Sequence, residues 1–190
     1  MNDQDYDRKY IETTIRQQDR ELRQEMEAEL KALRKLTQYK KPSVTASIII
    51  KDLSTGKYLL IKRRDDPFKD HYCFPGGFLE VGEETINQTA IRECQEETCI
   101  RLEEKDIFPI DVRSRPDRDP REHVIDHGFY AESFHAAEKA TANDDAAEII
   151  WVTEESIDAM EVLAFDHGKL WSNFKNSRRY ISDITLNINQ

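Results

Sequence analysis

Apolar residues recur at three-, four- and seven-residue steps through the first forty positions, with charged residues between them. This spacing places the apolar side chains on one face of an α-helix. The stripe consists of Ile11, Ile15, Leu22, Met26, Leu30, Leu33 and Leu36. We predict a long amphipathic helix that ends at Lys41 and Pro42. The stripe either packs on the chain's own domain or joins two copies of the chain. It is too irregular to define a heptad, so its spacing does not establish a dimer.

After Pro42 the pattern changes to short apolar runs bounded by turn residues, which is typical of β-strands. The first two runs flank a Ser-Thr-Gly turn, which predicts a hairpin. The predicted strands lie at 43–52, 57–64, 107–114, 123–134 and 147–152, and the predicted helices at 85–98, 154–160 and 166–177. Strands interspersed with helices predict an α/β fold in which a mixed sheet packs between helices. The chain then divides into a helical extension at 1–42, a main domain at 43–180 and a C-terminal tail at 181–190.

Composition narrows the classes of partner. A formal net charge of −10 and a pI near 5.1 argue against nucleic-acid binding, which usually shows a basic patch, but they do not exclude small anionic ligands. No apolar run approaches membrane-spanning length, and the first ten residues lack the apolar core of a signal peptide. Three cysteines without metal-ligand spacing, Cys73, Cys94 and Cys99, indicate reduced thiols. We expect a cytoplasmic protein with no membrane partner.

Carboxylates crowd one face of the helix predicted at 85–98. Glu93, Glu96 and Glu97 stand at i, i+3 and i+4, where their side chains are neighbours and repel one another. Hard divalent cations prefer oxygen ligands, so such a cluster can hold a metal ion. A solvated acidic face is the alternative. The glycine-bearing loop at 74–84 favours the metal site, because its glycines let the backbone approach a ligand closely.

This loop and helix resemble the Nudix box, in which a glycine precedes a glutamate, an Arg-Glu pair and a Glu-Glu pair in fixed order. The matching residues are Gly77, Arg92, Glu93, Cys94, Glu96, Glu97 and Ile100. One residue too many separates Gly77 from Arg92. Loops absorb insertions and helices do not, so we assign Glu84 to the motif, with Glu83 as the alternative. Cys99 occupies the last glycine position, at a cost of about 1 kcal/mol if the backbone there needs a positive φ.

The resemblance covers approximately residues 43 to 175. The segments 74–83, 118–122, 144–152 and 163–170 are similar to the ADP-ribose pyrophosphatase branch of the family. The resemblance implies a Nudix-type α/β/α sandwich with a mixed sheet, here preceded by the long N-terminal amphipathic helix. It also implies hydrolysis of the diphosphate linkage of a small nucleoside diphosphate derivative, with ADP-ribose favoured and AMP and ribose 5-phosphate as products.

The resemblance further implies which residues act. Magnesium, with manganese as the alternative, would bind Glu93, Glu96, Glu97 and the Gly76 carbonyl. Glu84 would orient Arg92. The candidate phosphate-binding residues are Arg63, Arg64, Arg118 and Arg121, because guanidinium groups match phosphate oxygens. The general base stays open, with Asp144, Asp145 and Glu148 as candidates.

Two rival interpretations remain. Some Nudix-like proteins bind ADP-ribose as regulatory sensors without cleaving it. Other members hydrolyse a nucleotide sugar, NADH or a modified nucleoside triphosphate. Relatives that hydrolyse ADP-ribose are often dimeric, so a homodimer is expected.

Overall fold

The computed structural model describes residues 3–36, 41–143 and 146–188, with side chains from residue 13 to residue 178 within those ranges. The chain forms two compact units, Met1–Lys41 and Pro42–Gln190. None of the helices in the described ranges is both long and apolar enough to cross a membrane.

The first unit is the helix α1, Asp3–Leu36, of 34 residues. Its presence confirms the long helix predicted from the apolar spacing, while residues 37–40, which precede the predicted end at Lys41 and Pro42, lie outside the described ranges. Every described side chain of α1 is exposed, including the stripe from Ile15 to Leu36, whose members are 50% to 72% exposed.

The second unit contains a mixed sheet, as predicted, with seven strands where the sequence pattern predicts five. Its elements are β1 Ser43–Asp52, β2 Tyr58–Arg63, β3 Tyr72–Cys73, β4 Gly76–Phe78, α2 Ile86–Thr98, a 3₁₀ turn Glu104–Asp106, β5 Ile107–Arg113, β6 Val124–Ser133, α3 Ala136–Lys139, β7 Ala146–Val152, α4 Glu154–Asp158 and α5 His167–Ile188. The strands run in the order β3-β2-β1-β6-β5, with β4 paired to β1 and β7 paired to β2. β1 and β6 are parallel, and the other paired strands are antiparallel.

The centre of the sheet is covered on both faces. Successive residues of a strand point to opposite faces, and Ile48 and Ile50 of β1 pack into one apolar cluster while Ile49 packs into another. The first cluster includes Ala90 and Cys94 of α2. The second includes Leu170, Trp171 and Phe174 of α5. The sheet therefore lies between α2 and α5, which confirms the predicted sandwich.

The structure contains two short elements that the sequence pattern does not predict, the 3₁₀ turn Glu104–Asp106 and α3 Ala136–Lys139, and it differs from the pattern in two further places. The glycine-bearing stretch at 74–84, predicted as a loop, contains the short strand β4, and another short strand, β3, directly precedes it. Pairing of the β3 and β4 backbones with β2 and β1 needs no particular side chains. Helix α5 continues to Ile188, past residue 177 where the pattern places the end of this helix. Residues 177–188 contain no Gly or Pro that would end a helix.

Candidate active site

A cavity of about 390 Å³ opens beside β1, β4, the acidic face of α2 and the start of α5. Charged side chains dominate its described lining. Six are carboxylates, from Glu80, Glu93, Glu96, Glu97, Asp119 and Asp126, and four are guanidinium groups, from Arg63, Arg92, Arg118 and Arg121. Carboxylates outnumber guanidinium groups in the lining, so the cavity is suited to a cation as well as to an anionic ligand.

The start of α2 is set by Thr85 and Gln88. The backbone N–H of Gln88 donates to Thr85 Oγ1 at 3.3 Å, and the backbone N–H of Thr85 donates to Gln88 Oε1 at 2.9 Å. This capping box satisfies two backbone donors that a helix start leaves unpaired, so α2 begins at Ile86 as predicted. From that start, the buried Ala90 and Cys94 fix which face of α2 meets the sheet.

Arg92 resolves the crowding of like charges on α2. Its guanidinium donates to both oxygens of Glu84, at 3.0 and 2.8 Å, and through Nη1 to Glu93 at 2.7 Å and Glu96 at 2.9 Å. Nη2 also donates to the Phe78 carbonyl at 2.9 Å. The hydrogen bond to Glu84, together with the neighbouring carboxylates, raises the pKa of Arg92. One fixed cation therefore holds three carboxylates together.

Glu84 accepts hydrogen bonds from both Nε and Nη2 of Arg92. It also accepts from Thr89 Oγ1 at 2.8 Å and from the Glu80 N–H at 3.1 Å. The hydrogen bonds from Arg92 lower the pKa of Glu84 to about 2, so this carboxylate is charged at neutral pH. The pairing with Arg92 favours Glu84 over Glu83 as the motif glutamate, and this assignment would place the extra residue between Gly77 and Arg92 in the loop before α2.

Two glycines of β4 let its backbone approach its neighbours closely, Gly77 toward α2 and Gly76 toward β1. A Cβ on Gly77 would overlap the Glu93 carboxylate, and a Cβ on Gly76 would overlap the Ala46 carbonyl of β1. The Gly76 N–H donates to Glu97 Oε2 at 2.9 Å, and Glu97 is 4% exposed. The loop backbone is thereby attached to the acidic face of α2.

The four candidate phosphate-binding arginines separate into three groups. Arg63 and Arg121 line the cavity and lie over the Phe165 ring, at 5.0 and 5.1 Å from its centroid. Arg118 also lines the cavity, but its side chain is 4% exposed and makes a two-point ion pair with Asp166 at 2.6 and 3.1 Å. Arg64 donates to the Ala146 carbonyl at 3.2 Å and is not part of the described lining. The geometry therefore places Arg63 and Arg121 best for a ligand.

The NUDIX domain model matches residues 41–174. The chain belongs to the Nudix family. It is 38% identical over 142 residues to the ADP-ribose pyrophosphatase of Methanocaldococcus jannaschii, and the match covers 75% of this chain and 78% of the relative. Together these matches show that the chain is a Nudix pyrophosphohydrolase.

Solved structures share the fold. A MutT/nudix family protein from Enterococcus faecalis is 28% identical with a TM-score of 0.63, and the match covers 71% of this chain and 61% of that chain. A bifunctional NMN adenylyltransferase/ADP ribose pyrophosphatase from Francisella tularensis, solved with AMP and a manganese ion, is 27% identical with a TM-score of 0.65, covering 79% of this chain and 46% of that chain. The NUDIX domain of Shewanella oneidensis NrtR, solved with ADP ribose, is 22% identical with a TM-score of 0.66, covering 74% and 91%. This chain thus spans less than two thirds of the first two proteins, and the third match shows the fold alone.

Nudix hydrolases generally use divalent metal ions, and the candidate ligands Gly76, Glu93, Glu96 and Glu97 line one cavity. Over the described residues, no three His, Cys, Asp or Glu side chains are grouped as metal ligands. Arg92 pairs with Glu93 and Glu96, and the Gly76 N–H donates to Glu97. The donors are all oxygen atoms, which is the chemistry that magnesium and manganese prefer.

The candidates for a general base lie elsewhere or outside the described residues. Asp144 and Asp145 fall outside the described ranges. Glu148 is exposed on β7, with its Cα paired to that of Lys62, and it is not part of the described lining.

Cys73 and Cys94 are buried, and burial raises the pKa of each thiol, that of Cys94 to about 12. Neither is suited to act as a nucleophile.

A buried charge network that forms part of the cavity wall was not predicted. Asp126 of β6 accepts from Thr45 Oγ1 at 2.7 Å and from Ser47 Oγ at 2.9 Å, and it pairs with Arg113. Asp166, at the start of α5, pairs with Arg113 as well as Arg118. One signal was available in the sequence, because Asp126 occupies the same face of its strand as the buried Val124. A charge on a buried face requires partners, but the sequence does not identify them.

Proposed function

We propose that this Nudix pyrophosphohydrolase cleaves the diphosphate linkage of ADP-ribose, producing AMP and ribose 5-phosphate, with magnesium as its cofactor and manganese as the alternative. The observation that carries the proposal is the grouping of Glu93, Glu96 and Glu97 in one cavity, where Arg92 pairs with Glu93 and Glu96 and the Gly76 N–H donates to Glu97. The substrate is chosen because of the 38% identity to the pyrophosphatase from M. jannaschii.

The residues of the cavity have different roles, which are metal binding and the positioning of the metal ligands. Glu93, Glu96, Glu97 and the Gly76 carbonyl would hold the divalent ion, which supplies charge neutralisation at the diphosphate and an activated water. Arg92, fixed by Glu84, positions Glu93 and Glu96. These contacts are made before substrate arrives, so little reorganisation is needed during the reaction.

Arg63 and Arg121 would bind the phosphate oxygens. Both have restricted orientations, because Arg63 Nε donates to the Pro67 carbonyl at 2.8 Å and Arg121 pairs with Asp119 at 2.7 Å. Arg121 also lies 4.7 Å from the centroid of the Phe78 ring. A guanidinium already held in place loses less freedom when it binds an anion.

A panel of substrates tests the proposal. Purified protein with magnesium is supplied with ADP-ribose, a nucleotide sugar, NADH and a modified nucleoside triphosphate, and the products are identified by chromatography. We expect ADP-ribose to give the highest kcat/KM, with AMP and ribose 5-phosphate as products. Faster turnover of another compound would overturn the substrate assignment. Tight binding of ADP-ribose without cleavage would favour a sensor.

Replacing Glu97 tests the carboxylate cluster. Glutamine keeps the shape of Glu97 and its ability to accept from the Gly76 N–H, but it removes the charge that a divalent ion requires. We expect Glu97→Gln to lower kcat by roughly a hundredfold or more while the circular dichroism spectrum is unchanged. Near-normal turnover at saturating magnesium would remove Glu97 from the mechanism.

A further inference from the structure

His167, the first residue of α5, lies 5% exposed against the glycine-bearing loop. The backbone N–H of Phe74 donates to His167 Nδ1 at 3.0 Å, and His167 Nε2 lies 3.3 Å from Ser47 Oγ. A ring nitrogen that accepts a hydrogen bond carries no proton. The neutral ring therefore has its proton on Nε2, which donates to Ser47 Oγ, while the Ser47 hydroxyl donates to Asp126 Oδ1 at 2.9 Å.

The surroundings of His167 keep the ring neutral. Burial, followed by the positive charges of Arg113, Arg118 and Arg63, places the pKa of His167 well below its ordinary value. A protonated ring would also turn Nδ1 into a donor facing the Phe74 N–H, which is a donor itself. The hydrogen bond from Phe74 therefore exists only with the neutral ring.

The same loop is attached to the protein at three successive residues. The Phe74 N–H donates to His167, the Pro75 carbonyl accepts from the Ile48 N–H at 2.9 Å, and the Gly76 N–H donates to Glu97 at 2.9 Å. Pro75 has no N–H of its own. His167 and Glu97 are thus the side chains that hold the two N–H groups of this segment. Of these two, only Glu97 is a candidate metal ligand.

The position of His167 is fixed from its other side by the charge network. The preceding residue, Asp166, pairs with Arg113 at 2.6 Å and with Arg118 at 2.6 Å. The ring also stacks on Phe74, with 5.9 Å between the ring centroids. These contacts hold the start of α5 in the position from which Nδ1 faces the loop.

We propose that His167 is a positioning residue, which holds Phe74–Gly76 through its Nδ1 acceptor so that the Gly76 carbonyl and Glu97 can bind a divalent ion together. The proposal rests on the metal-dependent function proposed above. It does not require that His167 touch the substrate or the ion.

The tautomer is tested first, in the full chain without metal. Two-dimensional ¹H–¹⁵N spectra of ¹⁵N-labelled protein at pH 6 to 8 should show a His167 ring with a proton on Nε2 and none on Nδ1. Comparison with a His167→Asn spectrum assigns the signals. A ring protonated on Nδ1, or on both nitrogens, at pH 7 would overturn the proposal.

Binding of Mn²⁺ alone, measured by calorimetry without substrate, tests the consequence. His167→Phe keeps a ring against Phe74 and removes the acceptor, so we expect Mn²⁺ to bind at least about tenfold more weakly. His167→Asn places an amide oxygen near the Nδ1 position, so it should recover most of the affinity. The matched control is His135→Phe, which changes an exposed imidazole at the start of α3 and should leave Mn²⁺ binding unchanged.

The outcomes separate this proposal from the function on which it rests. Unchanged Mn²⁺ binding by folded His167→Phe overturns the positioning role alone. If His167→Phe does not fold, the unsubstituted protein decides the question. Mn²⁺ binding by that protein, together with a His167 ring protonated on Nδ1, would also overturn the positioning role alone. Failure of the unsubstituted protein to bind Mn²⁺ overturns the metal site together with the role built on it. Mn²⁺ binding that depends on His167, without ADP-ribose turnover, supports the role and contradicts only the substrate.

Discussion

At the scale of single residues, the positions of the active-site carboxylates depend on which of them pair with the Arg92 guanidinium. Arg92 contacts Glu84, Glu93 and Glu96, and its side chain is 23% exposed. Removing one partner of a half-buried ion pair leaves the other charge without compensation, which costs more than the pair itself contributes. To measure what pairing with Arg92 contributes, a substitution of a paired glutamate must be compared with the same substitution of a neighbouring glutamate that Arg92 does not contact.

Glu83 and Glu84 provide that comparison. Glu84→Gln keeps the shape of the side chain but weakens the two-point pairing, so Arg92 should lose its orientation and kcat/KM for ADP-ribose should fall roughly tenfold to a hundredfold. Glu83→Gln removes the same charge one residue earlier and should change kcat/KM less than twofold. Steady-state kinetics on both variants measures the difference. Equal losses, or a larger loss for Glu83→Gln, would contradict the assignment of Glu84 to the motif.

Cys99 has the positive φ on which the strain predicted at this position depends. It follows α2 with φ 61° and ψ 6°, the left-handed conformation that favours glycine. Cys99→Gly should therefore increase the free energy of unfolding by up to about 1 kcal/mol, measured by urea denaturation. Cys99→Ala is the control, because it removes the thiol and keeps the strain. If alanine stabilises the protein as much as glycine does, the thiol is responsible and the strain is not.

The sequence could predict those residues of the site whose relations are local. The glutamates, Arg92 and the capping box all lie within one loop and one helix, so helical spacing fixes their geometry. His167 and Asp126 could not be assigned, because their partners Phe74 and Ser47 are 93 and 79 residues away along the chain. Contacts at such separations depend on the packing of the sheet, which spacing along one segment does not determine.

At the scale of elements, α2 places its carboxylates by starting at one defined residue. A helix advances about 100° per residue, so a shift of one residue at its start would turn Glu93, Glu96 and Glu97 away from the cavity. Both hydrogen bonds of the capping box act against such a shift. The apolar periods predicted α2, α5 and the main strands, whereas β3 and β4 are two and three residues long and too short to show a period.

Replacing the cap measures its contribution. Thr85→Ala removes the acceptor of the Gln88 N–H and should lower the free energy of unfolding by about 1 kcal/mol. Thr85→Ser keeps the hydroxyl and is the matched control, with an expected loss of only a few tenths of a kcal/mol. Thermal and urea denaturation measure both. A serine variant as unstable as the alanine variant would show that the threonine methyl group, and not the cap, is responsible.

At the scale of the whole molecule, the main domain buries its apolar residues on both faces of the sheet, whereas α1 has an apolar stripe that its own helix cannot bury. Leu22, Met26 and Leu33 are 56%, 55% and 52% exposed. Burying such side chains contributes about 25 cal/mol for each Å² of apolar surface removed from water. A second copy offers an identical stripe, and closed two-fold dimers are the commonest oligomers. We therefore propose that α1 joins two subunits.

Deleting residues 1 to 40 should then convert a dimer into a monomer, measured by light scattering coupled to size-exclusion chromatography at micromolar protein. Two substitutions within the stripe, Leu22→Glu and Leu33→Glu, should act in the same way, because each places a charge in the interface. The control is Gln24→Glu, which adds the same charge on the opposite face of α1, at 100° per residue, and should leave the dimer intact. A dimer that survives both the deletion and the double substitution would place the interface in the main domain. A monomeric intact chain would contradict a role for α1 in assembly and favour packing of the stripe on its own domain.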